Sequence, residues 1–291
     1  MPFTNNLTAL IGVINVNLTS TKTDSDAIIL NGQSGYVNSG GTGSDREALS
    51  FSSVTINASG DVTFAGDVQV FSASSLSTTG ALSITSYENN SFESDFVWSG
   101  AGSDFVGTGS INGLTIYDIA NLSGLTIGKS TNNSNVTINS ATSIAGPISV
   151  YGETIAVNEN LNTTQGAAAG DVKLNAAGNI TLAQNKNITT DGGDVIFKAD
   201  ADANRLGGIR IGTDFSPSTT TAITTNGGDI ILSGGSDPLT GFASYDAGLG
   251  AAQSNYNYAI GVFGATLDAS GTSSGGDIIV RGNGGNTFNG I

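Results

Sequence analysis

Aromatic and acidic side chains converge in one stretch of the sequence, residues 86–105, which reads SYENNSFESDFVWSGAGSDF. A sugar ring can stack on an exposed aromatic face while nearby carboxylates accept hydrogen bonds from its hydroxyl groups. The alternative is an irregular loop whose rings pack onto the side of the protein. If this stretch binds carbohydrate, the rings that we expect to contact the sugar are Tyr87, Phe92, Phe96 and Trp98.

A second irregular stretch covers residues 236–263 and has few charged side chains. It offers either a ligand loop or a surface excursion that is held to the protein by aromatic anchors. For the ligand loop, the candidate contacts are Tyr245, Tyr256 and Tyr258.

Paired aspartates raise the question of calcium binding. Asp24 and Asp26 are two residues apart, and so are Asp200 and Asp202. Alternate acids on one strand face can supply two of the six to eight oxygen ligands that Ca²⁺ takes. These four residues are therefore candidate calcium ligands, and the sequence suggests no other cofactor.

The chain contains no cysteine and no histidine. Thiol nucleophiles, Ser-His-Asp triads and histidine-based zinc sites are therefore excluded. Glycoside cleavage by two carboxylates needs neither residue type, and Glu88, Glu93 and Asp95 are the acids grouped near aromatic rings. Acid pairs in loops are usually just solvated, so we predict that the protein is not an enzyme.

Charge argues against two further classes of partner. The formal net charge is −15, and the nine lysines and arginines are scattered singly along the chain. Binding to nucleic acid or to an anionic membrane needs clustered cations. The apolar run Leu7–Val16 is interrupted by polar residues and is too short to span a bilayer, so we expect no membrane insertion.

The elements that would position these residues are short strands. Apolar residues alternate with polar ones throughout, as in Leu125–Ile127, Ile148–Val150, Val172–Leu174 and Val195–Phe197. Alternation with period two indicates strands with one buried face. These four strands begin 23, 24 and 23 residues apart. A sheet sandwich has no reason to keep such a spacing, whereas a β-solenoid does because each coil returns one strand spacing higher.

The segments ITTDGGDVIF and ITTNGGDIIL, which begin at Ile188 and Ile223, repeat one corner of this solenoid. Glycine permits positive φ there, and Asp or Asn can bond to nearby backbone. We predict an all-β, right-handed parallel β-helix over residues 51–291, with insertions near 86–110 and 236–263. Residues 1–50 are predicted to form its N-terminal edge or cap. About 23 residues per coil gives around 12 coils.

The repeat resembles the repeat regions of filamentous-haemagglutinin-like exoproteins, which are bacterial adhesins of the two-partner secretion or autotransporter type. The likeness rests on SGDVTFAGDVQV, GDVKLNAAGNITL, ITTNGGDIILSGG and GATLDASGTSSGGDIIVRG, and covers roughly residues 54–85 and 120–285. The resemblance implies a right-handed parallel β-helix at the bacterial cell surface or outside the cell. It also implies attachment to a glycan or protein of a host or neighbouring cell. The chain lacks an NPNG-like secretion motif near its start and any visible toxin module.

Three functions follow as hypotheses. The first is a structural or adhesive β-solenoid without catalysis. The second is a filament subunit that associates end to end through open strand edges. The third is a β-helix that binds or cleaves carbohydrate through residues 86–105, which we call the Trp98 segment.

Overall fold

A computed structural model describes residues 11–14, 16–23, 27–31, 49–66, 68–70, 74–85, 96–98, 114–117, 119–164, 170–213, 220–245 and 258–283. Short strands dominate these residues, and one 3₁₀ turn covers Ile119–Asn121. No described segment forms a helix that is long and apolar enough to cross a membrane.

The strands of the first half are β1 (Ile11–Ile14), β2 (Asn17–Ser20), β3 (Ile28–Asn31), β4 (Leu49–Ser52), β5 (Thr55–Ala58), β6 (Val62–Ala65), β7 (Val68–Val70), β8 (Ser74–Thr78), β9 (Ala81–Thr85), β10 (Phe96–Trp98), β11 (Leu114–Tyr117), β12 (Gly124–Ile127), β13 (Val136–Ile138) and β14 (Thr142–Ser143). Those of the second half are β15 (Ile148–Gly152), β16 (Ile155–Val157), β17 (Leu161–Asn162), β18 (Val172–Ala176), β19 (Ile180–Leu182), β20 (Asn187–Thr189), β21 (Val195–Ala199), β22 (Ile209–Ile211), β23 (Thr221–Thr224), β24 (Ile230–Gly234), β25 (Ala243–Ser244), β26 (Ile260–Val262), β27 (Ala265–Asp268), β28 (Ile278–Val280) and β29 (Gly282–Asn283).

Successive strands enter different sheets in turn, and strands pair in parallel with the strand one round earlier or later. The longest sheet has nine strands in the order β3-β6-β9-β12-β15-β18-β21-β24-β28. The other sheets are β10-β13-β16-β19-β22-β26, β14-β17-β20-β23-β27, β2-β5-β8-β11, β1-β4-β7 and β25-β29. This topology confirms the all-β, parallel-strand prediction and is consistent with a β-solenoid.

The register matches like residues with like. Leu125, Ile148, Val172 and Val195 pair in one column of the nine-stranded sheet, as their spacing predicts. Their side chains are at most 2% exposed and belong to one continuous apolar core. Burying a branched aliphatic side chain contributes about 1.5–3 kcal/mol each, so this column is a principal source of stability.

Fewer rounds are present among the described strands than the 12 coils expected, because several rounds are longer than 23 residues. In the first half, Leu82 and its in-register partner Leu125 are already 43 residues apart. Equivalent corner aspartates recur after 23 residues between Asp171 and Asp194, then after 35 and 48 residues at Asp229 and Asp277. Insertions between strands use the additional chain. A constant 23-residue repeat therefore overestimates the number of rounds.

The Gly-Gly-Asp corner has a different role for each residue. The first glycine takes positive φ, 87° at Gly192 and 116° at Gly227, as predicted. The second glycine faces the preceding round: a Cβ on Gly228 would lie 2.3 Å from the carbonyl oxygen of Gly193. Only a residue without a side chain fits between two backbones at this distance.

The aspartates of this corner form a ladder. The carboxylate of Asp171 accepts a hydrogen bond from the backbone N–H of Asp194 at 2.9 Å, and Asp194 accepts one in the same way from Asp229 at 2.8 Å. Asp229 in turn accepts one from the N–H of Asp277 at 2.7 Å. Each round thus satisfies a corner donor of the next, so the repeated motif holds neighbouring rounds together.

Candidate functional site: a groove between two long corners

Unequal corners shape the surface along one edge of the nine-stranded sheet. Residues 128–135 join β12 to β13, and residues 200–208 join β21 to β22. The two corners between them are short, residues 153–154 and 177–179. The long corners lie three strand steps apart, about 14 Å.

A cavity of about 130 Å³ lies between these corners, and we call it the corner groove. It takes residues from both long corners and from the strands between them. Its lining is Lys129, Ser130, Asn132, Tyr151, Gly152, Asn175, Ala177, Lys198, Ala201 and Asp202.

Three side chains form the floor of the corner groove as one column. Tyr151 pairs in register with Asn175, and Asn175 pairs with Lys198. All three are half-buried, and neighbouring positions in the column are about 4.8 Å apart. An aromatic ring, an amide and an ammonium group are therefore presented side by side on a rigid sheet.

The walls are fixed by local hydrogen bonds. Asn132 is buried, donates to the carbonyl oxygen of Tyr151 at 2.8 Å and accepts from the N–H of Ser134 at 3.2 Å. On the opposite wall, the carboxylate of Asp202 accepts from the side-chain amide of Asn204 at 2.8 Å. The walls are therefore held in place before any ligand arrives.

The polar groups of the floor make no hydrogen bond within the described part of the chain. This holds for the Tyr151 hydroxyl, the Asn175 amide and the Lys198 ammonium group. By contrast, Lys173 on the same sheet forms an ion pair of 2.7 Å with Asp171. The floor therefore offers hydrogen-bonding capacity to a ligand.

Lys198 of the groove floor also influences Asp237, which follows β24. The pKa of Asp237 is lowered chiefly by the hydrogen bonds that the Leu239 N–H and the Thr240 hydroxyl donate, and the positive charges of Lys198 and Arg281 lower it further. Lys198 thus acts electrostatically on the segment that follows β24.

Glu153 follows β15 at the short corner beside the groove, and its pKa is raised above the ordinary value of 4.5. Burial is the larger cause, and the negative charge of Asp202 is the second. Because the folded state disfavours ionised Glu153, its contribution to stability is complete below pH 4.5 and is lost as the pH rises through the folded pKa.

We expect Asp202→Asn to lower the pKa of Glu153 toward its ordinary value, because one neighbouring negative charge is removed. NMR titration of the Glu153 carboxyl carbon measures this pKa. Asp191→Asn serves as the control, because Asp191 is exposed and directly precedes the Gly-Gly-Asp corner at Gly192. It should leave the pKa of Glu153 unchanged. An unchanged pKa in Asp202→Asn would show that Asp202 does not act on Glu153.

The expected carbohydrate contact at Phe96 and Trp98 does not fit their position. Both lie in β10, which pairs with β13, and their exposures are 6% and 0%. The indole N–H of Trp98 donates to the hydroxyl of Thr142 at 2.8 Å. No ring face is open to a sugar, so both residues are part of the core, and the insertion expected near 86–110 includes a regular strand.

The other candidate aromatic residues have mixed positions. Tyr245 is half-buried after β25, and Tyr258 is 41% exposed, with its ring edge-on to Phe263 at a centroid distance of 5.8 Å. Tyr87, Phe92 and Tyr256 lie outside the described residues. The structure brings none of the described aromatic candidates into the corner groove, and of the candidate calcium ligands Asp202 lines it.

The proposed calcium ligands Asp200 and Asp202 do not share a strand face. Asp200 is 2% exposed at a corner with φ of 52°, and its carboxylate accepts from the Arg205 N–H at 2.9 Å and the Ser244 hydroxyl at 2.7 Å. Asp202 is exposed and bonds to Asn204. Asp24 and Asp26 lie outside the described residues, and within the described part no three acidic groups assemble as a metal site.

Comparison with family models, with curated proteins and with solved structures finds no match to this chain. The corner groove is therefore assessed on its own chemistry.

Proposed function

We propose that the chain is a right-handed parallel β-helix that serves as an attachment rod, at a bacterial cell surface or outside the cell. In this proposal the sheets stack into one shaft, and its corners contact a glycan or protein of another cell. The protein carries no catalytic activity in this role.

One observation carries the proposal: nine strands pair in parallel in a single sheet, while the chain passes through other sheets between them. Right-handed crossovers are the rule for such connections. A long sheet of this kind is rigid, and binding residues are commonly presented by loops on a rigid scaffold. The resemblance of the repeats to filamentous-haemagglutinin-like exoproteins supports both the location and the role.

Bead attachment under flow tests the proposal. The chain has no cysteine, so a single cysteine added at one end couples it to beads in one orientation. We expect beads that carry the folded chain to remain on cell layers several-fold better than albumin-coated beads. Retention equal to that of albumin, on bacterial and animal cells alike, would contradict an attachment role.

A second candidate function is end-to-end assembly, favoured by the last described round of strands. Ile278 and Val280 are 47% and 50% exposed, although they lie in register with Ile230 and Leu232, which are fully buried. The same is true of Val262, 37% exposed beside buried Ile211. Apolar core positions are thus open at this end, and a second copy could continue the sheets.

Electron microscopy over a concentration series distinguishes the two candidates. End-to-end assembly predicts rods that lengthen with concentration, and discrete short rods in a variant that carries Ile278→Lys and Val280→Lys. If the native chain stays in short rods at every concentration, assembly through this end is excluded and the attachment proposal stands.

A further inference from the structure

We propose that the corner groove binds a saccharide that carries a carboxylate group, such as a hexuronic acid unit. This inference rests on the proposed attachment function and specifies what the rod contacts. It replaces Phe96 and Trp98, whose rings are buried, with a surface that the sequence pattern did not suggest.

The floor of the groove is rich in hydrogen-bond donors. Lys198 supplies an ammonium group with three N–H donors, Asn175 an amide with two, and Tyr151 a hydroxyl. These floor groups make no hydrogen bond within the described part of the chain. A ligand rich in oxygen acceptors with a negative charge satisfies this set.

The aromatic ring of Tyr151 is the second feature that favours a saccharide. Tyr151 lies in the same column as the polar donors, two strand steps from Lys198, or about 10 Å. Sugar rings combine an apolar face that packs on an aromatic ring with hydroxyl groups at their rim. A free inorganic anion uses the Lys198 ammonium group but leaves Tyr151 without a role.

The third feature is the carboxylate of Asp202 on the opposite wall. Asp202 lines the groove, and after burial its negative charge is the second cause of the raised pKa of nearby Glu153. A carboxylate at this position accepts hydrogen bonds from sugar hydroxyls and repels ligands with dense negative charge. The lining therefore favours a single carboxylate surrounded by hydroxyls over a polyphosphate.

Isothermal titration calorimetry at low salt tests the inference with a hexuronic acid trisaccharide and its methyl ester. The ester keeps the rings and removes the charge. We expect the acid to bind about tenfold more tightly than the ester, which is the order of magnitude for one hydrogen bond to a charged group. Binding of the acid should also weaken as salt is added.

Variants locate the binding. Lys198→Gln and Tyr151→Ala should each weaken binding of the acid about tenfold, and Lys198→Arg should retain most of it. Lys173→Gln removes the same charge from the same sheet outside the groove and should bind normally. Fluorescence of Trp98, the single tryptophan, verifies that each variant is folded.

Four results would overturn the inference. The first three are no binding of the acid, equal binding of acid and ester, and equal losses in Lys173→Gln and Lys198→Gln. Acetate that competes as well as the trisaccharide would reduce the site to an anion site and overturn it too. Beads that still adhere to cells in any of these cases leave the attachment function standing. Beads that do not adhere, while the trisaccharide binds, contradict the attachment function and not the groove.

Discussion

Gly228→Ala is expected to destabilise the protein by about 3 kcal/mol, the upper range for inserting a methyl group into a tightly packed site. The added Cβ would lie 2.3 Å from the carbonyl oxygen of Gly193 and 2.5 Å from its carbonyl carbon. Both atoms belong to the backbone of the preceding round, which is fixed by the parallel pairing of β21 with β24. Urea unfolding monitored by circular dichroism measures the change.

Gly124→Ala is the matched control for this prediction. Its added Cβ would lie 3.5 Å from the Cβ of Ala81, an ordinary contact, within the same sheet. We expect its free energy of unfolding to change by less than about 0.5 kcal/mol. If the two alanine variants unfold at the same urea concentration, the corner backbones of neighbouring rounds do not stack as closely as described here.

Trp98→Ala is expected to lower the free energy of unfolding by about 3–5 kcal/mol, because a fully buried indole leaves a cavity. Trp98→Phe keeps most of the volume and loses the hydrogen bond to Thr142, so it should cost about 1 kcal/mol from that bond in addition to the small change in packing. Thermal unfolding followed by circular dichroism compares the three proteins. A stability of Trp98→Ala equal to that of the native chain would place Trp98 at the surface, as the carbohydrate hypothesis required.

These expectations show which features the sequence could predict. The strands from Leu125 to Phe197 were predictable because each has alternating residues and almost constant spacing. The first glycine and the aspartate of the corner motif were predictable from turn chemistry. The need for the second glycine was not, because it arises from contact with the preceding round.

The site was less predictable than the fold. Phe96, Val97 and Trp98 follow the strand pattern, but the acids beside them favoured interpretation as a surface loop. The corner groove depends on which corners lie next to each other after folding. Its sequence signal is the length of corners 128–135 and 200–208 on either side of two short ones, and that signal becomes visible only once the strand register is known.

The most direct test of the account is the distance between spin labels on the outer face of the nine-stranded sheet. The chain has no native cysteine, so pairs of cysteines can be introduced at Ile29, Thr63, Lys173 and Ile196, which occupy one outward column. A stacked parallel β-helix predicts about 19 Å for Thr63 with Lys173, about 24 Å for Thr63 with Ile196 and about 29 Å for Ile29 with Ile196. Distances that fail to rise by about 5 Å for each added strand would contradict the rod, and with it the proposed attachment function.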